Sequence, residues 1–89
     1  MKLFRVNCRD NVIVALSALL KGEELSVEDR GRPVKIILLD DIPKGHKVAL
    51  SDIPVFSKIV KGGIMIGEST QHITRGEHIH VHNIKSQYL

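Results

Sequence analysis

The sequence is short of several residue types. Its 89 residues include one cysteine, no tryptophan and only three aromatic side chains, Phe4, Phe56 and Tyr88. A single thiol, Cys8, excludes an internal disulfide and offers no zinc-thiolate pair, which fits a reducing compartment such as the cytoplasm. So few aromatic rings argue against a nucleic-acid surface, where bases stack on aromatic platforms. Long apolar runs are also missing. The longest, residues 12–20, is broken by Ser17 and falls well short of the ~20 residues that cross a bilayer. The opening Met1-Lys2-Leu3-Phe4-Arg5 has no signal-peptide core. The expectation is a soluble cytoplasmic protein with neither membrane nor nucleic acid as partner.

A formal charge of +3 and a pI near 9.3 point to an acidic partner or substrate, although cations and anions are mixed along the chain. The length sets one domain, residues 1–89, which buries roughly 60 to 65% of its unfolded surface around one modest core. With aromatics scarce, that core must come from valine, isoleucine and leucine, a composition that favours strands.

A turn-like phrase recurs along the sequence. Leu19-Leu20-Lys21-Gly22-Glu23, Ile42-Pro43-Lys44-Gly45-His46 and Ile73-Thr74-Arg75-Gly76-Glu77 each read apolar, two residues, glycine, polar. Proline pre-sets φ in such reversals, and glycine takes the left-handed position that re-enters the next strand, so Gly45 and Gly76 are expected as backbone requirements. In Ile53-Pro54-Val55-Phe56-Ser57, Phe56 occupies the glycine position, which predicts a turn built differently. Short apolar runs at residues 3–6, 12–16, 25–27, 34–38, 58–60, 64–66 and 79–82 predict strands. The run from residue 12 suits a strand covered on both faces; a short helix over 12–20 behind Asp10-Asn11 is the alternative. Ser51-Asp52 is placed to cap a single helical turn, residues 28–32 read as a charged hairpin tip, and residues 85–89 as a tail. The expected fold class is all-β, with many short strands and one or two helical turns.

Three of the five histidines stand at i, i+2, i+4 in Gly76-Glu77-His78-Ile79-His80-Val81-His82-Asn83. On a strand all three imidazoles face one way, about 6.6 Å apart, while Ile79 and Val81 face the other. Imidazole binds zinc, iron, nickel or copper and exchanges protons near neutral pH, so His78, His80 and His82 can ligate a metal or move a proton. The competing reading is a solvated strand face that happens to carry histidine.

In sequence the chain resembles the small subunit, or N-terminal domain, of the altronate and galactarate dehydratase family, which also includes sulfolactate lyase. The resemblance runs almost end to end, through Asp10-Asn11-Val12, Val14-Ala15-Leu16, Gly45-His46-Lys47, Ala49-Leu50, Asp52-Ile53, Ile66-Gly67 and the histidine block. It implies a small β-clip fold of the SAF type. It also implies a sugar-acid hydro-lyase whose site is completed by a separate large dehydratase subunit and which depends on a divalent metal, Fe2+ or Mn2+; a chain too small to enclose a sugar acid, with candidate ligands in only two segments, is expected to have little or no activity alone. Members commonly carry histidine, glycine and tyrosine where this chain has Asn7, Phe56 and Gly62, departures that bear on the choice of sugar acid.

Dehydration of a sugar acid removes the proton beside the carboxylate and expels the neighbouring hydroxyl, which calls for a base, an acid and stabilisation of the enediolate-like charge. The resemblance marks His46, His80 and His82 as the catalytic candidates. Lys47 is then the candidate to attract the substrate carboxylate, against the reading of an ordinary solvated lysine. Asn83 is placed to orient an imidazole or donate to substrate, and Glu77 to fix a histidine tautomer or merely decorate the turn. His72 lies outside the matching blocks and is expected at the surface. The alternative function is a non-catalytic carbohydrate-binding or adaptor module of the same fold; a homo-oligomer is compatible with either.

Overall fold

In the computed structural model of the chain the described residues are 3–5, 9–29, 32–80 and 82–86, with residues 3–5, 29 and 86 described by backbone alone. Asn7, Cys8, the hairpin-tip residues Arg30 and Gly31, Val81 and residues 87–89 lie outside them. Among the described residues nine strands run in order as β1 (Leu3–Arg5), β2 (Val12–Val14), β3 (Glu24–Asp29), β4 (Arg32–Ile37), β5 (Lys47–Ala49), β6 (Lys58–Lys61), β7 (Ile64–Ser69), β8 (His78–Ile79) and β9 (Ile84–Ser86). They form three small sheets in the orders β1-β3-β4, β2-β5-β8 and β6-β7-β9. The β1–β3 pair is parallel and every other pair antiparallel. The fold is all-β, of a kind consistent with a SAF-type β-clip, and the described residues contain no helix.

The β2–β5 pair is a wall between two apolar cores. Ile13 and Val48 enter a cluster with Leu25, Val27, Ile36, Leu38 and Ile42, whereas their neighbours Val12 and Ala49 enter a second with Ile53, Ile59, Ile73 and Ile79. Alternation along each strand sends successive side chains to opposite cores, which is why residues 12–14 are apolar without a polar face. Full burial of each such side chain contributes about 1.5–3 kcal/mol. The strand reading of residue 12 onward therefore holds for Val12–Val14, and the chain then leaves the sheet. Leu19 returns in an isolated antiparallel bridge to Ile42.

Asp10 and Asn11 cap a hairpin instead of a helix. The Asp10 carboxylate accepts from Gly62 N at 2.9 Å and Gly63 N at 2.8 Å, and Asn11 exchanges side-chain bonds with Val60 N and Lys58 O, both at 2.8 Å. These bonds pin the β6–β7 hairpin to the start of β2. The helical turn expected after Ser51-Asp52 is not there: Ile53 pairs with Ile73 in a second isolated bridge, and the Asp52 carboxylate accepts from Arg75 N at 2.9 Å. Nor are residues 85 and 86 a tail, since Lys85 and Ser86 pair with Glu68 and Gly67 in the third sheet.

One local device is used twice. Around the Leu19–Ile42 bridge, Asp41 accepts from Lys21 N and Glu23 from Leu20 N, each at 2.8 Å. Around the Ile53–Ile73 bridge, Asp52 accepts from Arg75 N and Glu77 from Thr74 N at 3.1 Å. Carboxylates that take up otherwise unpaired turn N–H groups explain the acidic residues flanking the repeated phrases.

Candidate functional site

The chain brings four histidines from two segments together at one end of the β5–β8 pair. Residues 43–46 form a tight turn closed by His46 N donating to Pro43 O at 3.0 Å, with Gly45 at φ +84°. Ala15, just past the end of β2, grips this turn: Gly45 N donates to Ala15 O and Ala15 N to His46 O, both at 2.8 Å. β5 then pairs with β8 in the register Lys47↔Ile79 and Val48↔His78. Continuing that register by one residue sets His46 opposite His80, where cross-strand side chains meet on one face.

The rings follow that placement. His46 and His80 lie face to face, with centroids 3.9 Å apart and planes 9° from parallel. His46 Nδ1 and His78 Nε2 are 2.7 Å apart in rings whose centroids are 5.0 Å apart, the geometry of an edge-to-edge hydrogen bond in which one nitrogen carries the proton and the other accepts it. His46 is thus the hub. His78 and His80 are 6.0 Å apart, close to the spacing expected along a strand.

The stripe is not a continuous strand. β8 ends at Ile79, and the backbone closes back on itself beyond it, Asn83 N donating to His80 O at 3.1 Å. On an uninterrupted strand His82 would stand roughly 13 Å from His78; the reversal brings their ring centroids to 5.0 Å. His82 is exposed, and the other three are half-buried. His72 is exposed beside Ile73 and is not among these contacting rings.

Asn83 is a brace beneath the site and not a substrate-facing group. It is completely buried, donates to His78 O at 2.8 Å and to Glu77 Oε2 at 3.4 Å, and accepts from His80 N at 3.1 Å. Its amide is spent on the backbone that carries the two rings. Glu77 touches Thr74 N and Asn83 and holds the turn, without a bond to a histidine side chain. Asp40 is the contributor that sequence reasoning missed: its carboxylate accepts from His78 N at 2.9 Å and favours the protonated form of that ring. The visible signal was an acidic pair, Asp40-Asp41, ending an apolar strand, but nothing in the spacing tied it to a histidine 38 residues away.

Two of the rings are harder to protonate than free imidazole. For His78 the main cause is desolvation, followed by repulsion from His82, His46 and His80, which together outweigh Asp40. For His80 it is again desolvation, then His46, Lys47 and His82. Lys47 therefore lies near enough for its ammonium charge to act on the site. The result is that His78 and His80 are both biased toward the neutral form, with a cation beside His80.

The donor geometry suits proton exchange better than metal binding by this chain alone. Among the described residues no group of three or more histidine, cysteine, aspartate or glutamate side chains is arranged to hold a metal ion. Rings stacked face to face direct their in-plane lone pairs side by side instead of toward one point. The 2.7 Å between His46 Nδ1 and His78 Nε2 is also shorter than the roughly 3.3 Å between two nitrogens on one tetrahedral ion. The expected set of His78, His80 and His82 does not, as it stands, fit a metal.

A family model described as the altronate/galactarate dehydratase SAF domain matches residues 1–87. Altronate dehydratase of Bacillus subtilis is 46% identical over 87 residues, which are 97% of this chain and 17% of that protein. Altronate dehydratase of Escherichia coli is 36% identical over 86 residues, with the same two shares. The (2R)-sulfolactate sulfo-lyase subunit alpha of Chromohalobacter salexigens is 35% identical over 77 residues, 84% of this chain and 82% of that subunit. The chain thus spans about a sixth of each altronate dehydratase and most of the sulfo-lyase subunit.

Proposed function

Because this chain belongs to the altronate/galactarate dehydratase SAF domain family, we propose that it is the small component of a sugar-acid hydro-lyase and completes an active site with a separate, larger dehydratase chain. The observation that carries this reading is the ring cluster: His46 is hydrogen-bonded to His78 and stacked on His80, with Lys47 beside them. A surface that only presents an adaptor needs no such arrangement. The name of the sulfo-lyase relative, a subunit alpha, also suits a multi-component enzyme.

In the proposed reaction Lys47 attracts the substrate carboxylate. His80, whose neutral form is favoured by desolvation and by neighbouring charge, accepts the proton next to that carboxylate. The electron pair released forms the carbon–carbon double bond, and the neighbouring hydroxyl departs. His46 in its imidazolium form, hydrogen-bonded to neutral His78, gives the proton that lets the hydroxyl leave as water and is itself left neutral; His80 then releases the proton it took, and His46 regains one, through solvent at the exposed His82. Asn83 and Asp40 hold the backbone that aims His78 and His80. The divalent ion implied by the resemblance, Fe2+ or Mn2+, belongs to this proposal as an ion whose ligands come mainly from the larger chain.

The test is substitution within the two-component enzyme. His46→Ala and His80→Ala are each expected to lower turnover by about 10²- to 10⁴-fold, the usual cost of losing a positioned acid or base. His72→Ala, outside the cluster, should be almost silent. Near-normal rates in both cluster variants would leave a non-catalytic module as the better description.

A further inference from the structure

We propose that Phe56 is the anchor by which this domain docks on the larger dehydratase chain, an inference that rests on the two-component reading above. Three of the four reversals share one construction. Turns 20–23, 43–46 and 74–77 close with a direct backbone hydrogen bond from the fourth residue to the first, at 3.0, 3.0 and 2.9 Å. Their third residues are Gly22, Gly45 and Gly76, at φ +90°, +84° and +87°. Glycine is at no disadvantage there.

The fourth reversal, residues 54–57, puts Phe56 in that position at φ +61°, the one non-glycine residue with positive φ among the described residues. A bulky side chain disfavours this conformation, so the position costs stability. The closing bond is built differently too. Ser57 N donates to Ser69 Oγ at 2.9 Å, and that hydroxyl donates to Pro54 O at 2.6 Å, so a fully buried serine is inserted where the other turns close directly. The fold thus holds in place a residue that strains it.

Burial within the chain does not repay that strain. Phe56 is 73% exposed, the most exposed of the large hydrophobic side chains among the described residues, and Val55 beside it is 44% exposed. An aromatic side chain presented to water from a pinned backbone, in a sequence with almost no aromatics, is what a binding anchor requires and what an isolated fold does not. Strain retained at such a residue points to function.

The occupant follows from the length of the relatives and from the position of the turn; since members commonly carry glycine here, the anchor is one that this chain adds to the contact. This domain is 17% of each altronate dehydratase, so most of those proteins is available to cover it. Phe56 N donates to Ser69 O, and the next residue, Thr70, donates from N to Asn83 O, both at 3.0 Å. Asn83 is the brace under His78 and His80. A chain seated on Phe56 is therefore coupled through one short strand end to the element that aims the site. A second copy of the domain would bring no new chemistry to it.

The experiment measures affinity of the full chain for its large dehydratase chain by titration calorimetry, with thermal melts of the isolated small chain. Phe56→Gly and Phe56→Ala should each weaken association at least about tenfold, as truncation of a central aromatic anchor does, and Phe56→Tyr should restore it. Phe56→Gly should melt at or above the wild-type temperature, because a merely structural residue would lower it. Wild-type affinity in both truncated variants would overturn the anchor while leaving the proposed function standing. Failure of the wild-type chain to bind at all would remove both. Self-association of the isolated chain abolished by Phe56→Gly would also overturn the proposal, by making a second copy the occupant.

Discussion

His78 and His80 carry a pH dependence whose sign can be worked out. Both have folded-state pKa values below the ordinary 6.5, chiefly from desolvation. Between those lowered values and 6.5 the unfolded chain binds more protons than the folded one, so stability rises with pH across that window. Their stabilising effect is complete above 6.5 and is lost as pH falls below it. Melting temperatures measured from about pH 7.5 to about pH 5, a range that brackets ordinary imidazole titration, should decline. The decline should be shallower in His78→Gln, which cannot be protonated there. A melting temperature independent of pH over that range, or a slope unchanged in the variant, would contradict the burial and crowding of these rings. At this scale spacing exposed His78, His80 and His82 as a set and the resemblance added His46, but neither showed how the rings contact one another or that Asp40 joins them. His46 joins through strand register and Asp40 through a bond across 38 residues, neither of which spacing can reveal. Asn83 stood out as a polar end to the stripe, yet its role depends on complete burial, a property of the folded chain.

Turns are the elements that place the site, and two glycines separate conformational strain from packing. Gly45 and Gly76 both take positive φ, but a Cβ at Gly45 meets open space, whereas one at Gly76 runs into the carbonyl oxygen of Ile37. Gly45→Ala should therefore cost only the backbone penalty, about 1–2 kcal/mol. Gly76→Ala should cost more, about 3 kcal/mol or above, because buried backbone must move as well. Chemical denaturation of the two variants checks the order, and an equal loss would mean that the Gly76–Ile37 approach yields freely. The repeated glycine phrase makes these reversals legible in the amino-acid sequence, because positive φ leaves a compositional mark. β5 leaves none: Lys47-Val48-Ala49 is too short and mixed to register as a strand, although it is the middle strand of its sheet. The break after Ile79 is equally invisible, since alternation in residues 78–82 continues in sequence where the backbone turns away.

For the whole molecule, scarcity of aromatics and abundance of β-branched residues pointed to short strands, and the described residues bear that out without a helix. What composition could not show is the division into two cores by the β2–β5 wall, which depends on which strands become neighbours. Neither core encloses the four clustered histidines; they stand at one end of the β5–β8 pair, three half-buried and one exposed. A site open on one side is suited to completion by another chain, and the relatives that are about six times longer contain ample sequence to do so. The most direct measurement is steady-state formation of 2-keto-3-deoxy acid from altronate and from galactarate, with the small chain, the large dehydratase chain, and the two mixed. The account predicts no turnover by the small chain, little by the large chain, and full turnover of one of these acids when both are present. Full turnover by either chain alone would contradict it.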